Sequence, residues 1–288
     1  MVVPHAASSA SGTALAGPTG PDTTSPYWLF HAAVRRAQLI AWLPSGHRTL
    51  IDVSGPHAAA ARLAAMAGHT VIRVIDEAVA DDAALGQAER PGGGRLATLV
   101  GDTTRLDFLT DGSADGVIAT DRTLSTHLAA ETMVAEIARV LRPAGRVFGC
   151  VDSLVLGMAV LADQQHWPHL VDLPKAEVVL VPWPDGTITR CYGPDQLHEL
   201  FTGAGLTVDW IRPLTAISPS MVHHALRRDP ACMPALVRAE LRANPDESQG
   251  AQLMVSAHKN LLRRACFAWQ GTQRAASGRA SSRPSGIS

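Results

Sequence analysis

A doubly wound α/β fold, with a mostly parallel sheet covered by helices on both faces, is the class that this sequence predicts. Three observations carry the expectation. Short apolar runs rich in β-branched residues alternate with helical stretches over residues 48–151. The runs RTLIDV, TVIRVID, RLATLV, DGVIAT and RVFGCV are short, apolar and buried in character, and strands of that kind separated by helices form a sheet covered on both faces. Right-handed crossovers between such strands place any ligand outside their carboxyl ends.

Each element follows from local chemistry. YWLFHAAVRRAQLIAWL (residues 27–43) is apolar around much of its circumference and stops at Pro44-Ser45-Gly46. RTLIDV reads as a buried strand, HAAAARLAAMAG as a helix ending at Gly68, and TVIRVID as a second strand. EAVADDAALGQA reads as helical, with a turn RPGGG before the strand RLATLV. After DGVIAT, residues 129–141 place Ala130, Met133, Val134, Ile137, Val140 and Leu141 on one helical face. RPAG then turns the chain into RVFGCV. Beyond Asp152 the alternation breaks, and AEVVLVPWPDGTITRCY reads as a β-hairpin around Pro184-Asp185-Gly186. A helix starts at Gly193-Pro194, with Leu197, Leu200, Phe201 and Ala204 on one face. The strand LTVDWI, a Pro-punctuated helical stretch over 218–242 and a last strand QLMVSAHK complete the pattern.

Composition narrows the function. The chain has 288 residues, 46% hydrophobic and 18% charged, enough to bury a full core. Twenty-five basic against 26 acidic side chains leave a formal charge of −1, so no global field recruits nucleic acid or an acidic membrane. Cys150, Cys191, Cys232 and Cys266 are scattered without a CxxC pair, as expected of reduced packing thiols in a cytoplasmic protein. No apolar stretch reaches the ~20 residues of a membrane span. The two ends, rich in Ser, Gly, Pro and Arg, are expected to be mobile tails without a secretion signal.

Several of these stretches together resemble the class I S-adenosylmethionine-dependent methyltransferases, over residues 27–259. LIDVSGP stands where that family has an acidic strand end and a glycine-rich turn. VIRVIDEA is similar to its second strand with a terminal carboxylate, and LVGDTTRLDF to the segment beside the adenine. DGSADGVIATDRTLSTHL resembles the fourth strand and its loop, EIARVLRPAGRVFGCVDS the helix, turn and fifth strand, and YGPDQLHELFTGAGLTVDWI the late helix and sixth strand. The resemblance implies a Rossmann-like sheet of seven strands with an antiparallel last strand. It also implies a tail over 1–25, a domain over 26–262 with a hairpin lid insertion at about 152–192, and an extension over 263–288.

The resemblance implies S-adenosylmethionine as cofactor. Asp76 would accept hydrogen bonds from the ribose diol, with Glu77 beside it, although an acidic pair also suits a helix start. Asp102 and Thr103 would meet the adenine, and Asp52, Ser54 and Gly55 the amino-acid end; Thr120 and Arg122 would line the cofactor's edge, unless Asp121 and Arg122 pair with each other. The turn holds one glycine, Gly55, where such turns carry two or three; Pro56 has no N–H to offer and His57 is bulky. His127, in the loop after the fourth strand, is the candidate general base, an imidazole titrating near neutrality, or else a packing histidine. His166, Trp167, Trp183 and Tyr192 would furnish a lid over an organic acceptor, or a satellite core, with Tyr27 and Trp28 closing the other side. His166, His169 and Asp172 match no tetrahedral zinc spacing, so no metal is expected. The expected activity is methyl transfer to an O, N or C nucleophile of a small molecule in specialised metabolism, by a cytoplasmic protein for which a homodimer is an option. The alternative is a relative with a degenerate turn, acting as a cyclase-type catalyst or a binding partner.

Overall fold

A computed structural model describes residues 25–77, 87–89, 93–173, 176–183, 186–243 and 250–261. Helix α1 (Pro26–Trp42) starts at Ser25, whose side chain accepts from the Trp28 N–H, and leads into β1 (Thr49–Asp52). Helix α2 (Ala59–Met66), β2 (Thr70–Ile75), β3 (Gln87–Glu89), β4 (Arg95–Val100) and β5 (Ala114–Ala119) follow. A short α3 (Thr123–Thr126), α4 (Ala130–Val140) and the long β6 (Leu141–Ser153) complete the first half. The second half comprises α5 (Leu154–Asp163), α6 (Trp167–Asp172), β7 (Val179–Pro182), β8 (Ile188–Tyr192), α7 (Pro194–Gly203), β9 (Leu206–Pro213), α8 (Pro219–Arg228), α9 (Met233–Arg242) and β10 (Gln252–Lys259).

The strand order is β3-β4-β2-β1-β5-β6-β10-β9, with β8 beside β6 and β7 beside β8. Strands β4, β2, β1, β5 and β6 are mutually parallel, and β10 runs antiparallel between β6 and β9. The chain leaves β1 toward β2 on one side and later returns to β5 on the other. That reversal opens a crevice at the carboxyl tips of β1 and β5.

Neighbouring residues feed opposite faces of the sheet. Ile51, Val117 and Val147 join α4 and α7 in one core, while Leu50, Ile118 and Phe148 join α1, α2 and α8 in the other. A third cluster, including Leu156, Val181 and Cys191, lies beneath the hairpin. The thiols of Cys150 and Cys191 are buried, and burial pushes both up to about 12, which makes them inert packing groups.

Three expectations need correction. Gln87 and Ala88, read as helical, lie in β3, antiparallel to the outer edge of β4, because an open strand edge outweighs weak helix propensity; residues 78–86 of that reading lie outside the described ones. The expected RPAG turn is a bulge inside β6, where the register with β5 slips and Ala144 adopts φ +63°. The hairpin, whose expected turn residues Pro184 and Asp185 lie outside the described ones, is not a separate lid. Its strand β8 pairs in parallel with the tip of β6, Asp152 opposite Cys191 and Ser153 opposite Tyr192, bringing the sheet to ten strands among the described residues. The expected tails lie outside the described residues apart from Ser25.

Candidate active site

The crevice begins at the tip of β1. Asp52 is fully buried; its Oδ1 accepts the Ser54 N–H at 3.0 Å, while Oδ2 has no hydrogen-bond partner among the described residues. Burial pushes the carboxyl up to about 6; nearby Asp121 adds to the rise and Arg73 opposes it. The Ser54 hydroxyl accepts both the backbone N–H and the hydroxyl of Thr120 at 2.9 Å, tying the turn to the tip of β5. Gly55 takes φ +86°, a left-handed conformation that glycine adopts without strain. Pro56 and His57 are exposed, so neither side chain is buried in the crevice. Beneath the turn, Arg73 of β2 donates to the carbonyls of Gly55 at 3.1 Å and Pro56 at 2.5 Å.

The tips of β2 and β4 form the second group. Asp76 accepts the Thr103 N–H at 2.9 Å and the Thr103 hydroxyl at 2.9 and 3.1 Å. Glu77 is exposed. Asp102 is exposed too; its Oδ1 accepts the Thr104 N–H and hydroxyl, and the Thr104 bond holds its carboxyl below the usual range. Asp52, Asp76 and Asp102 thus sit at or just beyond the ends of adjacent parallel strands.

His127 lies beside this group. Its Nδ1 is 2.8 Å from the Thr123 carbonyl, which fixes that nitrogen as the N–H donor. Its Nε2 is 3.1 Å from the Thr103 hydroxyl and 3.6 Å from Asp76 Oδ2. Both ring nitrogens are engaged, and a general base needs a lone pair facing the acceptor. With its proton on Nδ1 the ring has a lone pair at Nε2, whose partner is the Thr103 hydroxyl; the imidazole thus braces Asp76 through Thr103 and turns that lone pair away from an acceptor, against the expected base role in this conformation.

Asp121 and Arg122 do not pair with each other. Both take positive φ, 55° and 67°, so the chain bends sharply and their side chains diverge. Asp121 pairs with Arg35 of α1. Arg122 is buried and forms a forked pair with fully buried Asp152, at 2.7–3.0 Å, beneath the Trp183 ring at 4.6 Å. Gln252 adds a bond to Asp152 at 3.2 Å. Arg122 thus joins β5 to β6 and the hairpin instead of lining the cofactor's edge.

The residues expected in the lid separate. Tyr192 is 1% exposed in the main core and donates to the Leu124 carbonyl; Trp183 is buried, its Nε1–H bonded to Thr189. Both serve packing, which corrects their place over an acceptor. His166 and Trp167 are exposed, His166 with its ring 6.0 Å from that of His169. Tyr27, half-buried Trp28 and His31 cluster on α1, with Tyr27 bonded to Thr215. Sequence reasoning missed Arg73, Asp152 and buried His31, which burial pulls down to about 4. A lone arginine inside TVIRVID and an aspartate ending RVFGCVD were the available signals.

A cavity of ≈ 430 Å³ lies between α1 and α2, lined by Leu39, Ala60, Leu63 and Met66 together with Thr120 and Asp121. It adjoins the tip of β5 and has the size of a small-molecule site.

Comparison with known proteins agrees with this geometry. Residues 51–149 match the family model of a methyltransferase domain. The chain shares its fold with a SAM-dependent methyltransferase of Methanosarcina mazei, at 16% identity and TM-score 0.52, over 77% of this chain and 97% of that one. A second is an S-adenosylmethionine-dependent methyltransferase of Mesorhizobium loti, at 15% identity and TM-score 0.53, over 80% and 100%. A third is the 1,6-didemethyltoxoflavin-N1-methyltransferase of Burkholderia thailandensis with bound 1,6-didemethyltoxoflavin and S-adenosylhomocysteine, at 17% identity and TM-score 0.50, over 81% of each chain. At these identities the likeness establishes the fold. No curated protein matches the sequence.

Proposed function

We propose that the chain is a methyltransferase of the class I, S-adenosylmethionine-dependent type, which the match of residues 51–149 and the shared fold support, and that it methylates an O, N or C nucleophile of a small organic molecule in specialised metabolism. One observation carries the reading: three carboxylates gather at the tips of parallel strands, and the buried one keeps an oxygen without a partner among the described residues.

The residues fit the cofactor. Asp52 Oδ2 is a buried acceptor suited to an ammonium group, and the space where a Gly55 Cβ would stand is open. Asp76 has lone pairs left for a ribose diol after its Thr103 bonds. Asp102 and Thr103 flank the place of the adenine. When bound, the cofactor supplies a methyl group on a positive sulfur, an electrophile that needs alignment more than acid–base help. The chain's share is orientation and exclusion of water. Asp52 holds one end, Asp76 braced by Thr103 and His127 holds the other, and Tyr27 and Trp28 on α1 close one side.

A small acceptor is supported by the ≈ 430 Å³ cavity at the β5 tip and by the balanced charge of the chain. Calorimetry with S-adenosylhomocysteine tests the reading. Micromolar binding is expected, and Asp76→Ala should weaken it by roughly 1–3 kcal/mol, the cost of a lost charged partner. No heat from the wild-type protein would remove the cofactor assignment altogether.

A further inference from the structure

The turn after β1 poses a physical problem. Turns of this kind rely on several glycines to bring backbone close to a ligand, and this one has only Gly55 at φ +86°. Something else must fix the remaining peptide planes. Arg73 is directly opposite Asp52 in the β1–β2 register and only 2% exposed. A guanidinium is expensive to bury in a sheet, and it persists where its donors are used. One of its nitrogens, Nη2, reaches the carbonyls of Gly55 and Pro56, two consecutive planes of the turn.

We propose that Arg73 is a positioning residue for the cofactor turn, holding by two hydrogen bonds a backbone shape that additional glycines hold by conformational freedom. This rests on the methyltransferase reading of the site. In a trans peptide the C=O and the following N–H point in opposite directions. With the Pro56 carbonyl drawn toward Arg73, the His57 N–H faces away from the sheet. The Gly55–Pro56 plane has no N–H to present. These two planes therefore offer one backbone donor between them, its direction set by a side chain from the neighbouring strand. The same guanidinium lies close enough to Asp52 to favour its charged form, so one residue serves both the turn and the carboxylate. The groups facing Asp52 are Ser54, Arg73 and Asp121, the last of these beside Arg35 and His57.

Arg73→Lys and Arg73→Met separate this role from plain packing. Lysine has a shorter reach and ends in a freely rotating ammonium instead of a nitrogen fixed in a guanidinium plane, so Arg73→Lys should raise the dissociation constant for S-adenosylhomocysteine about tenfold and leave kcat at saturating cofactor within about twofold. Arg73→Met should weaken it further and move the acid limb of kcat/KM for cofactor to higher pH, as Asp52 loses its cationic neighbour. A lysine variant with wild-type affinity, or one losing affinity and kcat equally in proportion to a lowered Tm, would overturn the proposal. Absence of any wild-type binding overturns the methyltransferase reading; binding that ignores Arg73 overturns only this one.

Discussion

Asp52 carries the most direct consequence for pH. Its carboxyl is raised to about 6 by burial, so the folded protein holds a proton that the unfolded chain has already released. Stability from this group is therefore greatest below an ordinary carboxylate pKa and declines as pH rises toward 6, by up to about 3 kcal/mol. Asp52→Asn should be more stable than wild type above pH 6 and equal to it below about pH 4, while binding S-adenosylhomocysteine more weakly. Urea titrations across pH decide this, and a constant difference at every pH would show that Asp52 is not the titrating group. His127 makes a second residue-scale prediction. His127→Ala should weaken cofactor affinity by about 1 kcal/mol through loss of the Asp76 brace. Its pH–rate profile at saturating cofactor should match wild type; a lost acid limb would return the imidazole to the role of proton acceptor. The sequence shows that His127 follows a strand tip, but not that its ring meets Thr103 of a different strand end.

At the scale of elements, strands with strong local chemistry were legible. Apolar runs became β1, β2, β5 and β10, and α4 is buried at the five marked positions that lie within it, the sixth, Leu141, beginning β6. What escaped was decided by partners distant in sequence. β3 exists because β4 has an outer edge to pair, and β8 is drawn to β6 by alignment at Asp152. The Arg122–Asp152 pair secures that second junction. Arg122→Met would leave a fully buried carboxylate uncompensated, and the expected cost is about 3–5 kcal/mol in denaturant unfolding. A loss below about 1 kcal/mol would mean that water reaches Asp152. Asp152→Asn, which keeps the shape and gives up the charge, should cost less than Arg122→Met.

For the whole molecule, the order of strands places the carboxylates of β1, β2 and β4 in one row, and this much follows from topology once the parallel crossovers are recognised. The polar joints that lock the row to the rest of the fold, Arg73 under the turn and Asp152 under the hairpin, do not follow from any local pattern. Arg73 is the single charged residue of β2 and Asp152 the single acidic residue of β6, and each has its partner elsewhere in the chain. No described helix is long and apolar enough to cross a membrane. The domain boundaries proposed from the sequence have their own test. A chain of residues 25–262 should keep the Tm and the S-adenosylhomocysteine affinity of the full chain, and a drop of more than about threefold in affinity, roughly 0.7 kcal/mol, would bring the flanking segments into the binding unit.

The lacing of β8 onto β6 also limits how small molecules reach the strand tips. Swinging the hairpin outward would break the backbone ladder at Asp152 and Ser153 and the Tyr192–Leu124 bond, and lift Trp183 off the Arg122 guanidinium, in one motion. A barrier of that kind is ill suited to repeated turnover. The ≈ 430 Å³ opening between α1 and α2 adjoins the tip of β5 on the other flank and crosses none of those bonds.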